Sequence, residues 1–269
     1  MGPLRLHALL SDGPAGAPPV VLLPGLVTAS RSMVPLARAL TRHGLRPWIL
    51  DPAGFGYSDK PPHALAIREQ ADIVAEWLQV EGLTPARLLG NSAGSQVAAA
   101  VAGRHDVVSR LVLLSPTLRP AVRSALSWMR AVPARTGRCH RPGGGIRVRL
   151  LEAVHDRLGD EPSLRALNVI SYAFAGLPRA VSTARYAVEE KLERDLPGVR
   201  APTLLVRADR DPLSSASWVR HLTDRLADGR SVRLPDVNHT AFYLAAETVA
   251  NVVGPFLTDG SRTTPSADG

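Results

Sequence analysis

Short apolar runs alternate along the chain with longer stretches in which apolar residues recur every three or four positions. Runs of the first kind read as buried strands, stretches of the second as amphipathic helices. Pro19-Val20-Val21-Leu22-Leu23 predicts a strand ended by Pro24-Gly25, and Leu36, Ala39 and Leu40 predict a helix stopped by Gly44. Arg46 to Leu50 predicts the next strand, and Ile67, Val74, Trp77 and Leu78 mark a helix that ends at Gly82. Arg87-Leu88-Leu89 predicts a strand that runs straight into a small-residue helix, Gln96 to Ala102. Leu111 to Leu114, Thr203 to Val206 and Val232 to Leu234 predict further strands, and Thr240 to Leu257 a closing helix with one apolar face.

Strands alternating with helices predict an α/β fold, a mostly parallel central sheet flanked by helices. The rhythm breaks between Thr117 and Val199, where helical patches (Leu150 to Leu158, Leu164 to Phe174, Val181 to Leu192) surround a Pro142-Gly143-Gly144-Gly145 break. An inserted helical cap accounts for this most simply. The expected organisation is a core from 1–116 and 200–258, a cap or lid over 117–199, and a small polar tail over 259–269 that frays.

Composition adds exclusions. The chain has 269 residues, which suits one α/β unit with a core that needs no staples. Cys139 is the only cysteine, so no internal disulfide can form, and Cys139-His140 lacks the spacing to complete a metal site. No metal and no cofactor is called for. The net charge of +8 is almost all arginine, Lys60 and Lys191 being the only lysines. These arginines are scattered and not interleaved with aromatics, so no nucleic-acid partner is expected. Met1 to Leu10 carries Pro3, Arg5 and His7 where a leader would need an apolar core. With no apolar run near the ~18 residues of a membrane span, a cytoplasmic protein acting on a small molecule is expected; the oligomeric state is left open.

The chemistry concentrates in three places. Gly90-Asn91-Ser92-Ala93-Gly94 fits Gly-x-Ser-x-Gly between a strand and a helix. Such a turn strains the nucleophile's backbone and needs small neighbours, and it lifts the serine oxygen clear of the sheet. Ser92 is therefore the candidate nucleophile. A hydroxyl needs a base within hydrogen-bond reach. Among the histidines, His239 follows a strand and the turn Pro235-Asp236-Val237-Asn238, which puts it at the sheet's C-terminal edge, where open α/β sheets bind ligands. His7 is placed in an opening strand. Ala208-Asp209-Arg210-Asp211-Pro212 reaches the same edge; Asp211 is the candidate acid to orient the imidazole, with Asp209 as its rival. The segment after Leu114 reads Ser115-Pro116-Thr117 and offers no carboxylate. For the oxyanion, the N–H of Ala93 is one expected donor, and the loop Leu23 to Val27 supplies the other, from Leu26 or else Val27. Ser58-Asp59 reads as part of a structural turn.

Leu-Leu-Pro-Gly-Leu (22–26), Asp-Pro-Ala-Gly-Phe-Gly-Tyr-Ser-Asp-Lys-Pro (51–61), Gly-Asn-Ser-Ala-Gly (90–94), Arg-Ala-Asp-Arg-Asp-Pro-Leu (207–213) and Val-Asn-His-Thr (237–240) fall in one order along the chain. In this the chain resembles the α/β-hydrolase superfamily, over nearly its whole length. The resemblance implies a serine hydrolase of the capped, esterase-like branch that cleaves a carboxylic ester, thioester or lactone of a small apolar substrate through an acyl-enzyme. Haloalkane dehalogenases and epoxide hydrolases of that superfamily use aspartate where this chain has Ser92. Two alternatives stay open: C–C bond hydrolysis or a cofactor-free lyase or cyclase reaction on the same triad, and a ligand-binding, receptor-like protein with vestigial activity. Pro24 stands where relatives usually have histidine, and Asn238 where they often have glycine. Within the expected cap, Trp128, Met129, Tyr172 and Phe174 are the candidate pocket residues.

Overall fold

A computed structural model of the protein describes residues 4–25, 30–117, 164, 169, 171 and 175–258. Seven strands form one sheet: β1 (Ala8–Leu10), β2 (Pro19–Leu23), β3 (Arg46–Leu50), β4 (Ala86–Asn91), β5 (Val108–Leu114), β6 (Thr203–Ala208) and β7 (Gly229–Leu234). Their order across the sheet is β1-β3-β2-β4-β5-β6-β7. β1 pairs antiparallel with β3, Ala8 opposite Leu50, and every other neighbouring pair is parallel. The described helices are α1 (Val34–Arg42), α2 (Ile67–Val80), α3 (Ala93–Arg104), α4 (Leu177–Glu189), α5 (Ala216–Thr223), α6 (Ala241–Leu244) and α7 (Ala246–Thr258).

Side chains alternate across a strand, so apolar runs without polar breaks serve two cores at once. Val20, Leu22, Leu89, Val112, Leu114, Leu204 and Val206 pack on one face with α1 and α7. Val21, Leu23, Leu88, Leu111, Leu113 and Leu205 pack on the other with α2, α3 and α5. Leu22, Leu89 and Leu113 are fully buried, each contributing roughly 1.5–3 kcal/mol relative to exposure.

The sheet and its flanking helices follow the predicted α/β pattern, but α5 was not predicted, β1 begins only after His7, and three further differences appear. Strands β4 to β7 run longer than their apolar cores, because residues such as Arg207 and Arg233 join the ladder while their side chains reach outward to Asp209. The closing helix is two helices, broken at Ala245, whose φ of −128° leaves the helical region. Ala187, Leu192, Leu196 and Val199, from the end of the expected cap, are buried in the same cluster as α2 and α3. Most of 117–199 lies outside the described residues, including Trp128, Met129, Tyr172 and Phe174. The polar tail 259–269 lies outside them as well. Among the described residues no helix is long and apolar enough to cross a membrane.

Candidate active site

Ser92 stands between the end of β4 and the start of α3, with φ 56° and ψ −120°. A non-glycine residue at positive φ is strained, and such strain collects at functional turns. The surrounding chain holds it there. The Ser92 N–H donates to the Leu114 carbonyl at 2.9 Å, and the Ser95 hydroxyl donates to the Gly90 and Leu114 carbonyls at 2.8 and 3.1 Å. The two glycines of the motif are required by close approach. A Cβ on Gly90 would collide with the Gly94 carbonyl, and one on Gly94 with the carbonyls of Leu23 and Pro24.

The C-terminal ends of β6 and β7 bring the other two groups to the serine. His239 Nε2 lies 3.0 Å from Ser92 Oγ, and His239 Nδ1 lies 2.8 Å from Asp211 Oδ2. Asp211 Oδ1 accepts the Leu213 N–H at 2.8 Å. His239 is 8% exposed and the Asp211 side chain is fully buried. Burial alone would raise the Asp211 carboxyl. The charge and hydrogen bond of His239, with the Leu213 N–H, outweigh it and hold the group below the usual carboxylate range. The Ser115 hydroxyl adds to this from a position outside hydrogen-bonding geometry. Asn238, the residue before the histidine, shapes the turn: its Oδ1 accepts the Thr240 hydroxyl at 2.6 Å and the Thr240 N–H at 3.1 Å. An Asx turn thus orders the backbone where a glycine would leave it free.

Asp209, the rival acid, is taken by two arginines, Arg207 at 2.8 Å and Arg233 at 3.1 Å. His7 immediately precedes β1 and pairs with Asp51 at 2.8 Å, while His105 pairs with Asp72 at 2.8 Å and His43 with Asn251 at 3.1 Å. Ser58 and Asp59 are structural. The Ser58 hydroxyl donates to the Asp51 carbonyl at 2.7 Å, and Asp59 accepts the Arg5 N–H at 2.9 Å.

Ala93 is the first residue of α3, where backbone N–H groups have no partner within the helix. It can thus offer its N–H to an oxygen developing beside Ser92. Leu26 and Val27 lie outside the described residues, but Gly25, just before them, sits so close to the nucleophile that a Cβ on it would be 3.3 Å from Ser92 Cβ. Among the described residues no cluster of His, Cys, Asp or Glu could hold a metal ion. The arrangement can move a proton from Ser92 to an imidazole whose far nitrogen is fixed by a buried carboxylate. Sequence reasoning missed Asp51 as a fully buried carboxylate that meets Ser30, Tyr57 and His7. Its signal was a lone acid leading a Pro-Ala-Gly turn, with nothing local to show its partners.

The family model for the alpha/beta hydrolase fold matches residues 18–246. A haloalkane dehalogenase of Mycobacterium marinum is 35% identical over 137 residues, covering 48% of this chain; the chain spans only 45% of that relative's length. The AB hydrolase superfamily protein YisY of Bacillus subtilis is 23% identical over 257 residues, covering 88% of this chain and 91% of the relative. The enol-lactonase of Burkholderia xenovorans LB400 superposes with a TM-score of 0.73 at 23% identity, over 96% of this chain and 98% of its own.

Proposed function

The chain belongs to the α/β-hydrolase fold family, and on that premise we propose that it is a serine hydrolase that cleaves a carboxylic ester, thioester or lactone of a small apolar substrate through an acyl-enzyme. The observation that carries this reading is the continuous hydrogen-bonded line from Asp211 through His239 to Ser92. As Ser92 Oγ attacks the carbonyl carbon, His239 Nε2 takes its proton, and Asp211 holds the imidazole in the tautomer that leaves Nε2 free and then steadies the imidazolium. The Ala93 N–H and a second donor from Leu26 or Val27 receive the oxyanion. His239 passes its proton to the leaving oxygen or sulfur. It then deprotonates the water that releases the acid and restores Ser92.

Similarity to a dehalogenase does not bring that reaction with it. A serine that displaced a halide would be left as an ether, which water activated by His239 does not cleave, so turnover would stop after one cycle. C–C bond hydrolysis and cofactor-free lyase or cyclase chemistry would use the same three residues, and a receptor-like protein would keep the scaffold without turnover.

One panel separates these readings: p-nitrophenyl esters of increasing acyl length, thioesters, lactones and a ring-cleavage diketone, with Ser92→Ala beside the wild type. Ester or lactone turnover that disappears in Ser92→Ala supports the proposal. Diketone turnover that exceeds every ester moves the assignment to C–C hydrolysis, and no turnover of any substrate by a protein that does not react at Ser92 leaves the receptor.

A further inference from the structure

The strand between the nucleophile's strand and the acid's strand ends in a second strained serine. Ser115 follows β5 with φ 46°, a positive value that it shares among described non-glycine residues with Ser92 and Asp236. It is fully buried, and the backbone around it is tied to both neighbours. The Ser115 N–H donates to the Val206 carbonyl of β6 at 2.8 Å, while the preceding carbonyl, that of Leu114, accepts the Ser92 N–H at 2.9 Å. Asp211 lies just past β6, its N–H donating to the Ala208 carbonyl at 3.2 Å. Ser115 thus stands at the C-terminal edge of the sheet, on the strand between the elbow and the acid. Among the described residues its hydroxyl meets no partner within hydrogen-bonding geometry.

Two costs meet at this position. A side chain at positive φ strains a backbone that glycine would adopt freely. A buried hydroxyl without a partner also loses the hydrogen bonds that it makes in water. The acceptor that answers it is the Asp211 carboxylate. Such a group has room for about four hydrogen bonds, and among the described residues its two oxygens take one each, from the Leu213 N–H and from His239. His239 is the ionisable group that bears on it, and the Ser115 hydroxyl is among the contacts that hold the carboxyl below its usual range. Hydrogen bonds of catalytic groups are often long at rest and tighten in the transition state.

We infer that Ser115 is a positioning residue for the catalytic acid: from the end of β5 its hydroxyl turns onto the Asp211 carboxylate as a third donor, beside Leu213 and His239, and keeps that carboxylate aimed at His239 while the imidazole takes the proton of Ser92. This rests on the acyl-enzyme reading above. Ser115 acts on the reaction only through Asp211 and His239.

The test compares Ser115→Gly and Ser115→Ala with the wild type in two readouts, the rate at which a fluorophosphonate modifies Ser92 and thermal melts from neutral to acidic pH. Both variants lack the hydroxyl, but only glycine also relieves the strained φ. Both should react about tenfold more slowly, the scale of one hydrogen bond to a charged group. A role confined to the backbone would instead leave Ser115→Gly at the wild-type rate. The hydroxyl favours the charged form of Asp211 in the folded state. Its contribution to stability is therefore present above the unfolded carboxyl value of about 3.9 and fades as pH falls through the native value. Relief of strain and the added chain freedom of glycine act equally at every pH. The melting temperature of Ser115→Gly relative to wild type should thus be lowest near neutral pH and rise on acidification below about pH 4. In an Asp211→Asn background the same difference should not change with pH. A folded Ser115→Gly protein that reacts within about twofold of the wild-type rate, or whose difference in melting temperature is constant with pH, overturns the inference alone. A wild type that takes up no fluorophosphonate overturns the acyl-enzyme reading, and this inference with it.

Discussion

Asp209 and Asp211 leave the end of β6 two residues apart and have different partners: Asp209 is bonded to Arg207 and Arg233, Asp211 to His239. Converting each to asparagine should therefore have unequal effects. Asp211→Asn favours the wrong imidazole tautomer and should lower kcat by about 10⁴. Asp209→Asn loosens partly exposed ion pairs and should leave kcat within a few-fold of wild type. Steady-state kinetics on one ester decides; the opposite ranking would make Asp209 the acid.

The depressed native pKa of Asp211 also fixes a pH dependence of stability. A carboxyl group whose pKa is lower folded than unfolded contributes stability above the unfolded value, about 3.9. That contribution disappears as pH falls through the native value. Asp211→Asn should therefore melt below the wild type near neutral pH, and the gap should close as the solution is acidified below about pH 4. Thermal melts of both proteins across that range provide the check. A gap that widened on acidification would mean that His239 and the Leu213 N–H do not favour the charged form.

The elbow leaves no room for methyl groups. Gly90→Ala and Gly94→Ala each drive a Cβ into a backbone carbonyl, which cannot swing aside as a side chain could. Each should cost at least about 3 kcal/mol in urea unfolding. Gly82→Ala is the comparison: unlike Gly90 and Gly94 it lies at positive φ, 66°, but a Cβ there meets nothing within 4 Å, so its cost is backbone strain alone and should be smaller. Losses at Gly90 and Gly94 no larger than that at Gly82 would contradict the steric account of the elbow.

We propose that the segment 117–199 sets selectivity. If its apolar residues line the acyl pocket, replacing Trp128 or Phe174 by alanine should shift kcat/KM along an acyl-length series towards longer chains. One methylene in such a pocket is worth about 1–3 kcal/mol, so the site should rank acyl groups by size. An unchanged ranking in variants that still react at Ser92 would place selectivity in the loop near Leu26.

Much of this was legible in the sequence because the responsible interactions are local or periodic. Runs such as Val20 to Leu23 and Leu111 to Leu114 are apolar at every position because both faces of the strand are covered, and the elbow glycines announce a turn that nothing larger can make. Asp211 and His239 could be placed at one edge because both follow predicted parallel strands. β1 was hard to define: it has three residues at the sheet's edge and none is fully buried, so it shows little pattern. The break at Ala245 was hidden because the apolar face continues from α6 into α7. Asp51 was invisible as a hub because its partners, His7, Ser30 and Tyr57, lie up to 44 residues away and contribute mostly backbone, which has no sequence signature.

The central claim is that Ser92 is a nucleophile activated by His239. Its most direct test is incubation of the folded protein with a fluorophosphonate, followed by intact mass and peptide mapping. The account predicts one phosphonyl adduct per chain, on Ser92, absent from Ser92→Ala and formed far more slowly by His239→Ala. A folded wild type that takes up no adduct, or takes it up on another residue at an undiminished rate in Ser92→Ala, would contradict it.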